Sequence, residues 1–247
     1  MSAPLFFVGA RALEGRAPGD VVVLDGPEGR HAATVTRLAP GEQLLVADGS
    51  GRVARGRVHV VGRGELDLVV EELTDEPVPQ PRFTLVQALA KGDRDLLAIE
   101  VATELGVDEV IPWAASRSVV VWRGERTAKA HAKWERTLLA ATKQARRARV
   151  PVLAELAHQS TLLERVRAAD LALVLHEEAH EPLASAELPV EGEVLLVVGP
   201  EGGISPEETQ ALVDAGARTV RLGDTVLRTS TAGSAALALL SGRSRWA

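Results

Sequence analysis

Val194-Leu195-Leu196-Val197-Val198-Gly199-Pro200-Glu201-Gly202-Gly203-Ile204-Ser205-Pro206-Glu207-Glu208 is the stretch whose reading decides the fold. Val194–Val198 is an unbroken aliphatic run, the mark of a strand buried on both faces in a parallel sheet. Ser205 stands as an N-cap, Pro206 suits the first helical position and Glu208 can close a capping box, so a helix over Pro206–Ala215 is predicted. The loop between them, Gly199 to Gly203, is rich in glycine, which lets backbone approach a flat or phosphorylated ligand closely. The alternative is a strand-to-helix turn that binds nothing. A P-loop is excluded, because it needs a lysine and Lys91, Lys129, Lys133 and Lys143 all lie elsewhere.

Outward from this segment the same alternation repeats. Phe83–Leu89, Glu109–Trp113, Leu171–Leu175 and Thr219–Leu222 read as strands. Asp95–Leu105, Lys129–Arg147, Leu162–Ala168 and Ser230–Leu240 read as helices; in the second, Ala130, Trp134, Leu138, Ala141 and Ala145 share one face. The expected fold class is α/β, with a mostly parallel sheet covered on both faces. Ligands of such sheets sit at the carboxyl ends of strands. Two further strand-end loops are therefore of interest. Leu175-His176-Glu177-Glu178-Ala179-His180 matches a zinc-protease pattern by letters, but it follows a buried strand and Pro182 leaves no room for the helix that zinc chemistry needs. No metal site is expected there. Leu222-Gly223-Asp224-Thr225-Val226-Leu227-Arg228-Thr229-Ser230-Thr231 places Arg228 before three hydroxyl residues that could cap the last helix. Arg228 alone could be an ordinary surface side chain. The run Ala232–Ala236 has little bulk, so another backbone is expected to pack close to it.

Thr74-Asp75-Glu76-Pro77-Val78-Pro79-Gln80-Pro81 is too proline-rich for helix or central strand. It marks a linker over residues 74–82, between a first domain (1–73) and a second (83–247). Before it, Val21–Leu24, Gln43–Ala47, Val53–Val61 and Leu66–Leu73 read as strands and His31–Leu38 as a short helix. A small β-barrel fits best.

The 247 residues include no cysteine, which removes disulfides, thiolate nucleophiles and cysteine-ligated metals. No Gly-x-Ser-x-Gly elbow is present, so serine hydrolysis has no support. The start of the chain, Met1–Phe7, carries no secretory pattern, and no apolar run is long enough to span a bilayer; a soluble cytoplasmic protein is expected. Net charge is −6, yet residues 81–150 hold thirteen bases against eight acids. Lys143, Arg146, Arg147 and Arg149 are the densest part of that excess. They form either a solvated helix face or a phosphate-contacting surface.

Several segments together carry a family resemblance over nearly the whole chain. They are Arg30-His31 to Gly41, Asp48-Gly49, Gln87-Ala88-Leu89-x-Lys91-Gly92-Asp93, Ala102-Thr103-Glu104-Leu105-Gly106-Val107, Ser116-Arg117-Ser118, Gln144 with Arg147, Arg149-Val150-Pro151, Gly199-Pro200-Glu201-Gly202-Gly203 and Leu227-Arg228-Thr229. The sequence resembles the RsmE-type 16S ribosomal RNA uracil-N3 methyltransferases of the SPOUT class. The resemblance implies a PUA-like barrel, a trefoil-knotted α/β domain, a homodimer and S-adenosyl-L-methionine as cofactor. It implies 16S rRNA or the small ribosomal subunit as partner, with no membrane and no metal. Carried over by motif, Leu175, His176, Glu177, Gly199, Pro200, Glu201, Gly202, Gly203, Ile204, Leu222, Gly223, Leu227, Arg228, Thr229 and Ser230 would contact the cofactor, and Arg228 would be catalytic. Lys143, Arg146, Arg147 and Arg149, with Arg52, Arg55 and Arg57 of the barrel, would contact RNA. Two departures stand out. Ser230 replaces the family's usual glutamate, and Ala141–Arg147 is more basic than the family pattern. A SPOUT enzyme for another RNA such as transfer RNA, and a non-catalytic RNA-binding or ribosome-assembly protein, are the competing expectations.

Overall fold

The structure, a computed structural model, describes residues 3–246. Met1, Ser2 and Ala247 lie outside the described residues, and so does the very start of the stretch read above for a secretory signal. The chain divides into two compact units, residues 1–78 with 142–150, and residues 79–141 with 151–247.

In the first unit, β1 (Leu5–Phe7), β2 (Val21–Leu24), β3 (Gln43–Ala47), β4 (Arg52–Val61) and β5 (Leu66–Asp75) form a sheet in the order β1-β3-β4-β5-β2. Phe6, Val22, Leu24, Leu44, Val46, Ala54, Val58, Leu66, Leu68 and Val70 meet in one interior. Both edge strands thus bury side chains in the same core, the arrangement that the barrel expectation requires. The expected helix at His31–Leu38 is one part of a longer turn of chain: α1 (Gly26–Arg30) continues as a π-helical segment, His31–Thr36, and stops where Arg37 turns left-handed at φ 57°.

The boundary differs from the expected linker. Thr74 and Asp75 pair with Val53 and Arg52, and the Glu76 N–H donates to the Gly51 carbonyl, so the strand continues until the prolines stop it. A second difference is larger. Thr142–Val150, expected within the second domain, belongs with the first unit. Ala148 and Val150 pack against Phe7, Ala47 and Val53, and the Val150 N–H donates to the Gly49 carbonyl at 3.0 Å.

In the second unit the elements are β6 (Arg82–Ala88), α2 (Arg94–Glu104), β7 (Glu109–Trp113), α3 (Glu125–Gln144, whose last three residues belong to the first unit), β8 (Val152–Leu153), α4 (Gln159–Ala168), β9 (Leu171–Leu175), β10 (Glu193–Val198), α5 (Pro206–Asp214), β11 (Arg218–Val220) and α6 (Thr229–Gly242). All six strands run parallel in the order β11-β9-β10-β6-β7-β8. Along β10, Val194, Leu196 and Val198 enter one core with Ile99, Trp134, Leu138 and Leu237. Leu195 and Val197 enter another with Leu162, Val166 and Leu212. The aliphatic run is therefore buried on both faces, as the unbroken pattern predicts.

α3 ends three residues earlier than periodicity suggests. Arg146 adopts φ 55°, the Arg147 N–H donates to Thr142 O and the Arg146 N–H to Lys143 O, a Schellman termination. β11 likewise stops at Val220, two residues short of Leu222. At the amino ends of the strands, Arg165 makes a forked pair with Glu109 (2.7 and 2.9 Å) and reaches Glu193 at 2.9 Å. Those charges fasten α4 beneath β7 and β10 and leave the carboxyl ends free for a ligand.

Candidate active site

β9, β10 and β11 are neighbours, so the loops that leave them emerge side by side. Chain order also reverses between β6 and β10, which opens a crevice at their carboxyl ends. A cavity of about 390 Å³ lies there, lined by Arg94, Leu175, His176, Glu177, Val198, Gly199, Pro200, Glu201, Gly203, Ile204, Val226, Leu227, Arg228, Thr229 and Ala232. A smaller one of about 110 Å³ shares Leu175, His176, Glu177, Val226, Leu227 and Ala232 with it and adds Leu222 and Gly223. The expected cofactor residues thus converge, with two exceptions. Gly202 points its carbonyl toward Arg117, and Ser230 is 8% exposed in the first turn of α6; neither is among the lining residues.

The glycine loop is held from several directions. Beneath it, the Thr229 hydroxyl donates to the Gly199 carbonyl at 2.7 Å and accepts from Gln87 Nε2 at 2.9 Å. A Cβ at Gly199 would lie 2.6 Å from Ile204 Cγ1, so this turn requires glycine. Ser205 caps α5 and Glu208 closes the capping box, as expected. The buried Glu208 carboxylate also accepts from the Ser116 N–H and hydroxyl, each at 2.7 Å, and so ties the loop after β7 to the base of the glycine loop.

On the solvent side, Glu201 accepts from the Lys91 N–H and from Arg94 Nη1, both at 3.0 Å. Burial alone would raise the Glu201 carboxyl; hydrogen bonds from its own N–H and that of Lys91, with the Arg94 guanidinium, outweigh it and hold the group below its ordinary value. Arg117 Nη1 donates to the Gly202 carbonyl at 3.2 Å.

The hydroxyls expected to cap α6 do not do so. Arg228 occupies the N-cap with extended backbone and no side-chain cap bond, and Thr229 turns its hydroxyl to Gly199 instead. That choice leaves the exposed Arg228 side chain at the cavity. The small-residue run meets side chains, not backbone: a Cβ on Gly233 would approach Leu85 Cδ1 at 2.9 Å and Val198 Cγ2 at 3.4 Å. His176–Glu181 forms turns, in which the Glu178 N–H donates to His176 Nδ1, so the two imidazoles do not share a helix face.

Of the bases expected to meet RNA, Lys143, Arg149, Arg52, Arg55 and Arg57 have partners within the first unit. Lys143 pairs with Glu28, and the Arg149 guanidinium donates to the carbonyls of Ser50 and Glu76. Arg146 and Arg147 also interact within the chain. Arg52 pairs with Asp75 at 3.3 Å, Arg55 with Glu72, and Arg57 with Glu71 at 2.8 Å. Lys143 and Arg149, the two ends of the run, thus fasten it within the first unit. Sequence reasoning missed Arg94, Arg117 and Gln87 as parts of the site. Gln87 lies in β6, Arg94 and Arg117 follow β6 and β7, and only the strand order brings β6 beside β10. The signal available for them was membership of the motifs around Lys91 and Ser116.

The parallel sheet with its strand-end cleft and the small β unit before it match the two domains of one class of protein, the RNA methyltransferases. The pattern of an RNA methyltransferase domain matches residues 76–241, and that of an RNA methyltransferase PUA domain matches residues 24–71. A ribosomal RNA small subunit methyltransferase E from Mycobacterium bovis is 48% identical over 233 residues, covering 92% of this chain and 89% of that protein. The Bacillus subtilis protein of the same name is 30% identical, with 88% of each chain covered. A crystal structure of the Neisseria gonorrhoeae enzyme bound to S-adenosyl methionine is 28% identical and superposes with a TM-score of 0.87 over 98% of each chain. The chain belongs to the ribosomal RNA small subunit methyltransferase E family.

Proposed function

We propose that this protein transfers the methyl group of S-adenosyl-L-methionine to N3 of a uridine in 16S ribosomal RNA. The observation that carries the reading is the convergence of the loops after β9, β10 and β11 on one cleft of about 390 Å³, within the size range of small-molecule sites. The residues suit the cofactor. Leu175, Val198, Ile204, Leu227 and Ala232 offer apolar walls for a flat base, and the glycine loop offers backbone groups at close range. When bound, the cofactor supplies an electrophilic methyl on a sulfonium.

The chain's own contribution is placement and charge. Uracil N3 bears a proton, and its removal spreads negative charge onto O2 and O4. A fixed cation beside a carbonyl oxygen favours that anion, and Arg228 at the cleft is the group assigned to it. The Glu201 carboxyl is held below the ordinary range, which weakens it as a base, so no side chain is assigned as base and the N3 proton passes to bulk solvent. N3 lies on the pairing edge, so the uridine must leave its stack to reach the cleft. With Ser230 in place of glutamate the cleft still has lining carboxylates, Glu177 and Glu201. This favours an enzyme over a non-catalytic binder.

The trefoil knot, the homodimer and a cytoplasmic site of action belong to the same reading. In the first unit, Arg55 and Arg57 sit in exposed ion pairs, which are worth little and can be exchanged for phosphates. Incubation with the cofactor and small-subunit particles lacking the modification, followed by nucleoside mass analysis, tests the proposal. N3-methyluridine is expected. A different methylated nucleoside, or none, refutes it.

A further inference from the structure

The cleft has a basic rim built from two loops that lie outside the three converging strand ends. Arg94, at the start of α2, lines the cavity with its side chain 41% exposed. Arg117, in the loop after β7, is exposed. The two guanidiniums are fastened to consecutive residues of the glycine loop, Arg94 to the Glu201 carboxylate and Arg117 to the Gly202 carbonyl. Exposed Lys91 has its main chain bound to the same carboxylate. Two guanidiniums therefore hold a two-residue span of the glycine loop, Arg94 at the cavity wall and Arg117 beside it, with Glu201 and Glu207 as the acids next to them. Glu207 lies within reach of the Arg117 charge.

A guanidinium carries five N–H donors in a fixed fork. Each of these arginines commits one nitrogen, Nη1, to the glycine loop in the bonds above. The bond fixes the side chain's position and leaves further donors for an acceptor arriving from solvent. Pre-fixed guanidiniums suit phosphate oxygens, which they bind in bidentate fashion. A nucleotide extruded into the cleft brings its own flanking phosphates to the rim.

We infer that Arg94 and Arg117, with Lys91 beside them, form the subsite that grips the phosphodiester backbone flanking the target nucleotide. The inference rests on the proposed RNA methylation and adds the location of the backbone contact, in the catalytic unit rather than on the run Lys143–Arg149. Holding the phosphates at residues that also hold the glycine loop places the extruded base relative to the cofactor side of the cleft.

The test compares wild type, R94Q, R117Q, the double variant and R94K/R117K. Binding to 16S ribosomal RNA transcribed in vitro is measured across a salt series, and cofactor binding is measured separately by calorimetry. Each single Gln variant should flatten the plot of log affinity against log salt by about 0.7, and the double variant by about 1.4. The double lysine variant should keep the wild-type slope, and R11Q, at an exposed pair far along the chain, should match wild type. Cofactor affinity should change less than threefold throughout. An unaltered slope in the double Gln variant overturns the inference. So does an unaltered slope joined to a large loss of cofactor affinity, which makes both arginines clamps of the loop only. Failure of wild type to bind the cofactor or methylate the particles would instead strike the proposed function, and is read in separate assays.

Discussion

The replacement Thr229→Val tests whether the glycine loop depends on the buried relay beneath it. Thr229 is 6% exposed; its hydroxyl donates to Gly199 O at 2.7 Å and accepts from Gln87 Nε2 at 2.9 Å. Valine has nearly the same shape, so no cavity opens, and the change removes two hydrogen bonds alone. The Gly199 carbonyl loses this donor, while Gln87 Nε2 keeps its bond to Ala88 O. The loss of one buried polar partner costs about 1–3 kcal/mol. With the second group still partly satisfied, a loss of about 2–4 kcal/mol is expected. Thr229→Ser keeps the hydroxyl and gives up one methyl, about 0.8 kcal/mol. All four tryptophans, Trp113, Trp122, Trp134 and Trp246, lie in the second unit, so denaturant unfolding followed by their fluorescence reports on the unit that holds the relay. A double-mutant cycle with Gln87→Leu should show coupling of about 1–2 kcal/mol, since contacting polar pairs are not additive. By calorimetry, T229V should weaken cofactor binding about tenfold, the equivalent of about 1.4 kcal/mol passed to the loop. The reasoning fails if T229V costs less than about 0.5 kcal/mol, or if T229S is as damaging as T229V.

The other expectations concern charge and chemistry at the same end of the sheet. Arg228→Ala should lower single-turnover methylation about 10²–10³-fold with little change in cofactor affinity, the loss typical of one donor facing a developing anion; an unchanged rate removes Arg228 from the chemistry. Glu208→Ala should destabilise the second unit by roughly 2–4 kcal/mol by chemical denaturation, because a capping box and two bonds to Ser116 go together; E208Q, which retains acceptor atoms, should lose less. Stability against pH should carry two opposite marks. Burial first, then the charge of Asp93, raise Asp95 above 3.8 despite N–H bonds from Ala90 and Leu96, so its contribution falls as pH rises through the window above 3.8. Glu201 is depressed below 4.5, so its contribution is present above 4.5 and disappears as pH falls through the folded value. D95N should flatten the first and E201Q the second, as read from pH-dependent denaturation midpoints.

Elements whose signals are local match the structure closely. Val21–Leu24, Gln43–Ala47, Glu109–Trp113 and Leu171–Leu175 have the expected bounds, and the Ser205 and Glu208 capping pair forms as written. Each depends on a run or a spacing of a few residues. What escaped depends on distant partners. β1 and β8 are three and two residues long, too short for any periodicity to register. The placement of Thr142–Val150 with the first unit follows from packing on Phe7, Ala47 and Val53, residues nearly a hundred or more positions away. The partners of Lys143 and Arg149 escaped for the same reason: Glu28, Ser50 and Glu76 lie far away in sequence, and nothing near the basic run announces them. Thr229 was a plausible cap by type, yet Gly199 and Gln87 make the stronger claim on its hydroxyl.

These features point to catalysis by placement. Among the described residues, the titratable group with a resolved shift that lines the cleft is Glu201, and its shift weakens it as a base. The fixed groups around the glycine loop instead remove motion: Glu201 with Lys91 and Arg94, Gly202 with Arg117, Gly199 with Thr229, and Glu208 with Ser116. Orienting two reacting atoms in advance contributes up to about 7–11 kcal/mol to a displacement, far more than a single proton-transfer group. A methyl transfer needs little else once N3 is anionic. The rigidity is therefore expected to show in kinetics as well as in affinity: loosening the Thr229 tie should lower the rate of the bound complex beyond the about tenfold loss of cofactor binding expected for T229V. Thr229→Val in the relay and Arg228→Ala at the cleft separate the two contributions, since the first disturbs where the methyl donor lies and the second how the accepting anion is held.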